Sequence, residues 1–150
     1  MLAEFVRRTD VDVVMVAGRL TLLDQSALGD LLPVAQQRGI GVVAAAVYNS
    51  GLLSSATVDS AAHYDYGKAP AAVIERAVRV AEVCERHGAS LPAAAVQYPL
   101  RHPAVVSVVT GMRIETHVRS TTARYREAIP ESLWEELHSS GLVPDPARAS

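Results

Sequence analysis

Three short apolar runs rich in β-branched residues recur along the chain, and each is followed by a segment with helical character. The runs are VVMV (13–16), IGVVAAAVY (40–48) and AVVSVV (104–109). Because they are apolar on both faces, they are typical of strands buried in a parallel sheet. The alternation of strand and helix therefore predicts an α/β fold with right-handed crossovers.

Capping residues and prolines give the expected helix limits. The spacing predicts a helix that Asp24 caps, that runs to Arg38 and that Pro33 kinks or splits. We expect further helices over Pro70–His87, from Pro92, over Glu115–Tyr125 and from Pro130. The last ten residues, GLVPDPARAS, are predicted to be frayed.

The predicted sheet is small for a chain of 150 residues. An open sheet of these strands would leave apolar edges without partners. We see no linker or internal repeat, so residues 1–150 are interpreted as a single partial domain of something larger.

Composition excludes several classes of partner and predicts a location. The net charge is −2 without charged blocks, so neither nucleic acid nor a membrane surface is expected. Cys84 is the lone cysteine, which fits a reducing compartment. The first ten residues lack the apolar core of a signal peptide, and no apolar run could span a bilayer, so we expect a cytoplasmic protein.

No common catalytic or metal motif is complete in this sequence. The GxGxxG and P-loop patterns are absent, and Ser50 lacks the glycine that a nucleophile elbow requires at position 48. Cys84 is expected in the core and His87 at a helix end. His63 and Asp65 are interpreted as part of a polar loop, and no metal site is predicted.

The turns after the second and third runs are the better candidates for a site. Ligands of parallel α/β proteins bind at the carboxyl ends of the strands. NSGL (49–52) offers successive amides, and TGMR (110–113) offers an arginine before a helix N-terminus, which favours anions. The alternative, that Gly51 and Gly111 only make turns and Arg113 is a surface charge, stays open on spacing alone.

Several segments, taken together, carry a family resemblance. They are TLLDQSALGDLLPVAQQRGIGVVAA, YNSGLL, YDYGKAP, LPAAAVQYPLRHPAVVSVVTGMR and IPESLWEEL, in order over nearly the whole chain. The chain resembles the C-terminal part of an aldo-keto reductase, nearest the bacterial L-fucose or D-threo-aldose 1-dehydrogenase type. The resemblance implies an incomplete (β/α)8 TIM barrel, with strands six to eight and their helices.

The resemblance also implies a cofactor, NAD(P), and the residues that hold it. The loop after the seventh strand covers the pyrophosphate, and the turn and helix after the eighth strand hold the adenosine end. These assignments carry over to Asn49, Ser50, Gly51, Leu52, Gly111, Met112, Arg113, His117 and Thr121. His117, Ser120 and Thr121 replace the family's usual Gln and Glu-Asn, and Ala45 stands where an aromatic residue usually stacks on the nicotinamide.

The family's catalytic Asp, Tyr, Lys and His belong to the first half of the barrel, so no catalytic residue is assigned here. The lone lysine, Lys68, lies in a loop, and a whole barrel takes about 250 residues. We therefore expect a fragment that is inactive alone, as a truncated gene, a decayed copy or half of a split enzyme. The alternatives are a vestigial nucleotide-binding module and an interaction protein that completes a barrel with another chain or by self-association.

Overall fold

The computed structural model describes residues 1–59, 63–64 and 67–148. Its centre is a parallel sheet of three strands, in which the second strand along the chain lies between the first strand and the last one. The strands are β1 (Val13–Ala17), β2 (Gly41–Ala45), β3 (His63–Tyr64), β4 (Gly67–Lys68) and β5 (Val105–Val109). The three runs predicted as parallel strands are thus confirmed, while β3 and β4 form a separate short antiparallel pair.

The helices lie between these strands and after them. They are α1 (Leu2–Arg8), α2 (Leu31–Arg38), α3 (Ala71–Arg86), α4 (Leu91–Gln97), α5 (Glu115–Arg126) and α6 (Glu131–Ser139). Short 3-10 turns occupy Ser26–Leu28, Pro99–Arg101 and Pro146–Arg148. The predicted helices from position 70 onward are confirmed within one or two residues. α1 was not predicted, because a seven-residue segment shows too little periodicity.

The helix predicted from Asp24 begins later than expected. Asp24 is not its N-cap, because Gln25 is the N-cap of the 3-10 turn and Asp30 that of α2. Oδ1 of Asp24 accepts hydrogen bonds from the amide of Ser26 at 2.9 Å and from its hydroxyl at 2.6 Å. The segment that follows is only a 3-10 turn, and α2 starts at Leu31. Pro33 therefore lies in the first turn of α2, where a proline breaks no intrahelical hydrogen bond. The predicted helix is therefore interrupted before Pro33, between Leu28 and Leu31, and the proline does not cause the interruption.

The prediction of a frayed tail is wrong for its described part. Leu142 and Val143 are buried in the core. The hydroxyl of Tyr98 donates to the carbonyl oxygen of Pro144 at 3.0 Å, and Nδ1 of His138 donates to that of Val143 at 2.8 Å. Apolar side chains and satisfied carbonyls fix this segment, although its local sequence is rich in turn formers.

The two faces of the parallel sheet differ sharply in burial. Val14, Val16, Val42 and Ala44 face the helices and are buried. The opposite face points away from the described helices, and on it Val13 and Met15 are 54% and 56% exposed. Its residues alternate along each strand with the buried ones, as the interior residues of a barrel do, but within the described residues no element covers this face.

The strands end level with one another. The register pairs Ala17 with Ala45 and Ala45 with Val109, so the carboxyl ends of β1, β2 and β5 meet at one edge of the sheet. A bulge between Val42 and Val43 lets Val106 drop out of the pairing lower in the sheet. The loops that follow the three strands are therefore brought together.

Candidate functional site

A pocket of about 300 Å³ lies at this level edge of the sheet. Its lining comes from the residues that follow all three strands, including Ala17, Gly18, Ala46, Asn49, Ser50 and Gly111. The pocket brings together Asn49 and Ser50 of the turn 49–52 and Gly111 of the turn 110–113. Whether the nine predicted residues bind a cofactor stays a prediction.

The loop after β2 has an unusual backbone. Ala46, Asn49 and Ser50 have φ of 55°, 47° and 57°, and Gly51 has φ of 95°. Only the glycine adopts this region without steric cost, and each other residue pays about 1 kcal/mol or more for it. The loop keeps this shape only because other contacts determine it.

Three of the four amides of residues 49–52 are not free for an anion, contrary to the sequence expectation. Those of Asn49, Gly51 and Leu52 donate to the carbonyls of Ala46, Tyr48 and Asn49 at 3.0, 3.1 and 3.2 Å. The side chain of Leu52 is 2% exposed and belongs to the core. A tight succession of turns has used these donors internally, which sequence spacing does not reveal.

Asn49 and Ser50 are polar residues of this loop that line the pocket. Asn49 is 7% exposed, and its Oδ1 accepts no hydrogen bond from the part of the chain that the structure describes. A buried acceptor without a donor costs free energy. Oδ1 is shielded from solvent, so a ligand in the pocket could reach it only after the side chain of Asn49 turns toward the pocket.

The remaining predicted site residues, which follow β5, do not all lie in one place. Met112 and Thr121 line a second pocket, of about 350 Å³, between β5 and α5. Arg113 and His117 are exposed and lie outside the lining of both pockets. Ser120 is half-buried, with its hydroxyl donating to the carbonyl of His117 at 3.1 Å.

The start of α5 presents charges of both signs. Arg113 precedes the helix, whose N-cap, Ile114, has no side chain to cap the first amides. Glu115 occupies the first turn, and its Oε1 accepts from Nε and Nη2 of Arg119 at 2.8 and 2.5 Å. The glutamate complements the helix dipole and would compete with a bound anion.

Arg19 lines the first pocket and was not singled out from the sequence. Its Nη1 donates to Oδ2 of Asp24 at 2.8 Å. Burial acts to raise the pKa of Asp24, but hydrogen bonds from Ser26 and Arg19 outweigh it, so the pKa is lowered and the pair stays charged. The position of Arg19, two residues after β1, was the signal that could have revealed it.

The groups considered for other chemistry lie away from the pocket. Cys84 is buried, as expected, and burial raises the pKa of its thiol to about 12. His87 ends α3, as expected, with Nε2 at 2.7 Å from Oε2 of Glu136. Asp65 lies outside the described residues. Among those described, no three His, Cys, Asp or Glu side chains are grouped to hold a metal.

Comparison with known proteins decides the family. The sequence profile described as the Aldo/keto reductase family matches residues 2–141. The chain belongs to the aldo/keto reductase family.

Two relatives are similar over almost all of this chain. D-threo-aldose 1-dehydrogenase from Pseudomonas sp is 41% identical over 145 residues, which are 97% of this chain and 44% of that protein. Pyridoxal 4-dehydrogenase from Microbacterium luteolum is 38% identical over 143 residues, 95% of this chain and 42% of that protein. The chain spans less than half the length of these curated relatives and resembles a C-terminal part, as expected.

Solved aldo-keto reductases share the fold. The glycerol dehydrogenase AKR11B4 from Gluconobacter oxydans superposes with a TM-score of 0.70 at 18% identity, over 95% of this chain and 46% of that one. The holo form of AKR11C1 from Bacillus halodurans gives 0.63 at 19% identity, over 93% and 45%. The three-stranded sheet and its helices are thus an incomplete (β/α)8 barrel, as predicted.

The residues present fit an aldo/keto reductase cofactor in part. Asn49 is a polar residue of the pocket lining at the carboxyl ends of the barrel strands. Arg113, two residues after Gly111 in the sequence, is an exposed cation outside that lining. The pocket volume of about 300 Å³ is at the lower limit for small-molecule sites, so one part of a dinucleotide would fill it.

No described helix is long and apolar enough to cross a membrane.

Proposed function

We propose that this chain forms the cofactor-binding side of an NAD(P)-dependent aldo/keto reductase barrel, which oxidises or reduces sugars or other carbonyl compounds when complete. The observation that carries the proposal is the pocket at the level strand ends, whose lining joins Asn49 and Ser50 of one predicted turn to Gly111 of the other. The names of the two relatives, an aldose and a pyridoxal dehydrogenase, support the carbonyl chemistry.

We propose further that the chain has no turnover by itself. The family's Asp, Tyr, Lys and His set lies in the first half of the barrel, and a Tyr general acid needs a nearby Lys to lower its pKa. Lys68 lies in β4, outside the parallel sheet. What the chain retains is binding, which holds a cofactor without completing a reaction.

The partner that we propose is a chain carrying the first strands of the same barrel. β1 and β5 are the edges of the described sheet, and Met15 on its bare face is 56% exposed. Unpaired edge strands and an apolar face call for a partner of the same construction. Self-association of this chain through the same face is the competing outcome.

The experiment measures binding and turnover in separate steps. Calorimetry or saturation-transfer NMR titrates the chain with NADP and with adenosine 2′,5′-bisphosphate, and binding on the order of millimolar is expected of a half-site. Cofactor absorbance is then followed with aldoses and pyridoxal, for the chain alone and mixed with the N-terminal part of the Pseudomonas relative. Turnover only in the mixture supports the proposal, whereas no nucleotide binding at any concentration contradicts it.

One alternative function follows from the residues of α5, which would hold the adenosine end of the cofactor. His117, Ser120 and Thr121 stand where the resemblance places Gln, Glu and Asn, and α5 buries no residue completely. The chain could in that case be a vestigial nucleotide-binding module. Binding of adenosine 2′,5′-bisphosphate without any gain of turnover in the mixture would favour this alternative.

A further inference from the structure

Arg124 crosses from α5 to the loop that follows β2. Its Nη2 donates to the carbonyl oxygen of Ser54 at 2.9 Å, and Nη1 donates to the hydroxyl of Tyr48 at 3.4 Å. The guanidinium carbon also lies 5.6 Å from the centre of the Tyr48 ring, within the range of a cation–π contact. A single side chain thus makes three contacts with the two ends of residues 48–54.

We propose that Arg124 is a positioning residue that couples this loop to α5, so that the order of one side of the proposed cofactor site depends on the other. The inference extends the proposed function, because the loop and the helix are the two sides that would hold the cofactor. The contacts themselves exist without a ligand, so the coupling can be tested whether or not a nucleotide binds.

The loop depends on outside contacts because its own conformation is costly. Asn49 and Ser50 hold positive φ, and the hydroxyl of Ser54 donates to the carbonyl of Gly51 at 2.7 Å to close the last turn. Arg124 fixes the carbonyl of that same Ser54. Losing the guanidinium would release the end of the loop and let the strained residues relax.

The helix depends on the same contact from its own side. α5 has no completely buried residue, so apolar burial holds it weakly. Nε2 of Gln97 donates to the carbonyls of Arg124 and Glu127 at 2.9 and 2.8 Å and fixes the helix end. Arg124 therefore lies where the end of α5 is fixed by Gln97, and its guanidinium links this end of the helix to the loop.

Hydrogen exchange of the chain without ligand tests the coupling in both directions. Arg124→Ala is expected to speed exchange of the amides of Gly51, Leu52 and Leu53 roughly tenfold, as the loss of a charged hydrogen bond implies. Tyr48→Leu is expected to speed exchange in the last turn of α5, because coupling between two sites is reciprocal. Arg126→Ala, an exposed change on the same helix, serves as the control and should leave the loop unchanged.

A conservative variant separates coupling from general damage to the fold. Arg124→Lys keeps a donor for Ser54 and a cation over Tyr48, so it should recover most of the protection that Arg124→Ala loses. Unchanged loop exchange in Arg124→Ala would overturn the proposal, and so would equal loss in the alanine and lysine variants. Failure of nucleotide binding in the unchanged chain would contradict only the proposed function, since the exchange comparison needs no ligand.

Discussion

Arg76 and Leu142, 66 residues apart in sequence, are joined by two hydrogen bonds. Nε and Nη2 of Arg76 donate to the carbonyl oxygen of Leu142 at 2.9 and 2.6 Å. The same guanidinium donates to the carbonyl of Leu23 at 3.2 Å and to Oε1 of Gln25 at 2.9 Å. One half-buried arginine on α3 therefore holds both the tail and the segment before α2.

The first prediction concerns this arginine. Arg76→Met should lower the free energy of unfolding by about 2–3 kcal/mol, because it leaves several partly buried carbonyls without a charged donor. Urea denaturation followed by circular dichroism measures the change. Arg79→Met, on the exposed side of the same helix, is the matched control; equal stability of the two variants would show that the contacts of Arg76 contribute nothing.

The second prediction concerns the bare face of the sheet. The chain alone should form oligomers in light scattering, because Val13 and Met15 expose an apolar surface beside an unpaired edge. Met15→Glu should shift the population toward monomer, since a carboxylate on this face opposes its burial. Val118→Glu, at an apolar position 47% exposed on α5, should not. A sharp monomer of the unchanged chain would contradict the prediction.

The third prediction concerns the charges that flank the start of α5. Arg113→Ala should weaken binding of adenosine 2′,5′-bisphosphate about fivefold, because one exposed contact between a charge and a phosphate contributes roughly 1 kcal/mol. It should also reduce the salt dependence of the binding. Glu115→Gln should strengthen binding, because it removes a carboxylate that competes for the helix start. Calorimetry at two salt concentrations measures both. Affinity unchanged in Arg113→Ala would identify the arginine as a surface charge only.

The fourth prediction concerns stability at alkaline pH. Burial raises the pKa of the Cys84 thiol from 9.0 to about 12, so the folded chain holds this proton more tightly than the unfolded chain. The contribution of this thiol to the free energy of unfolding should therefore be constant below pH 9 and fall as the pH rises from 9 toward 12, by at most about 1.4 kcal/mol per pH unit.

Comparison with Cys84→Ala isolates the thiol. The variant loses stability at every pH, but its decline between pH 9 and 10 should be absent or much smaller. Burial also raises the pKa of Tyr98, so a decline that begins above pH 10 should persist in both proteins. Denaturant melts at fixed pH steps measure this, and identical slopes between pH 9 and 10 would refute the assignment to Cys84.

The sequence alone determined the strands, most of the helices and the family. β-branched apolar runs of four to nine residues have few ways to bury both faces, so β1, β2 and β5 were predictable from local pattern. Proline and glycine at the ends of α3 and α6 set their limits because these residues restrict φ or free it. The meeting of Asn49 and Gly111 followed from a general property of parallel sheets, whose strands end at one edge.

Only the tertiary structure decided how the loops and the tail are held. The amides of Asn49, Gly51 and Leu52 are used within the loop, and Leu142 is fixed by Arg76 and the core rather than by its neighbours in sequence. Arg124 likewise meets Tyr48 across 76 residues. Such contacts join a side chain to a distant backbone, so they leave no periodicity in either segment and exist only once the chain has brought the two together.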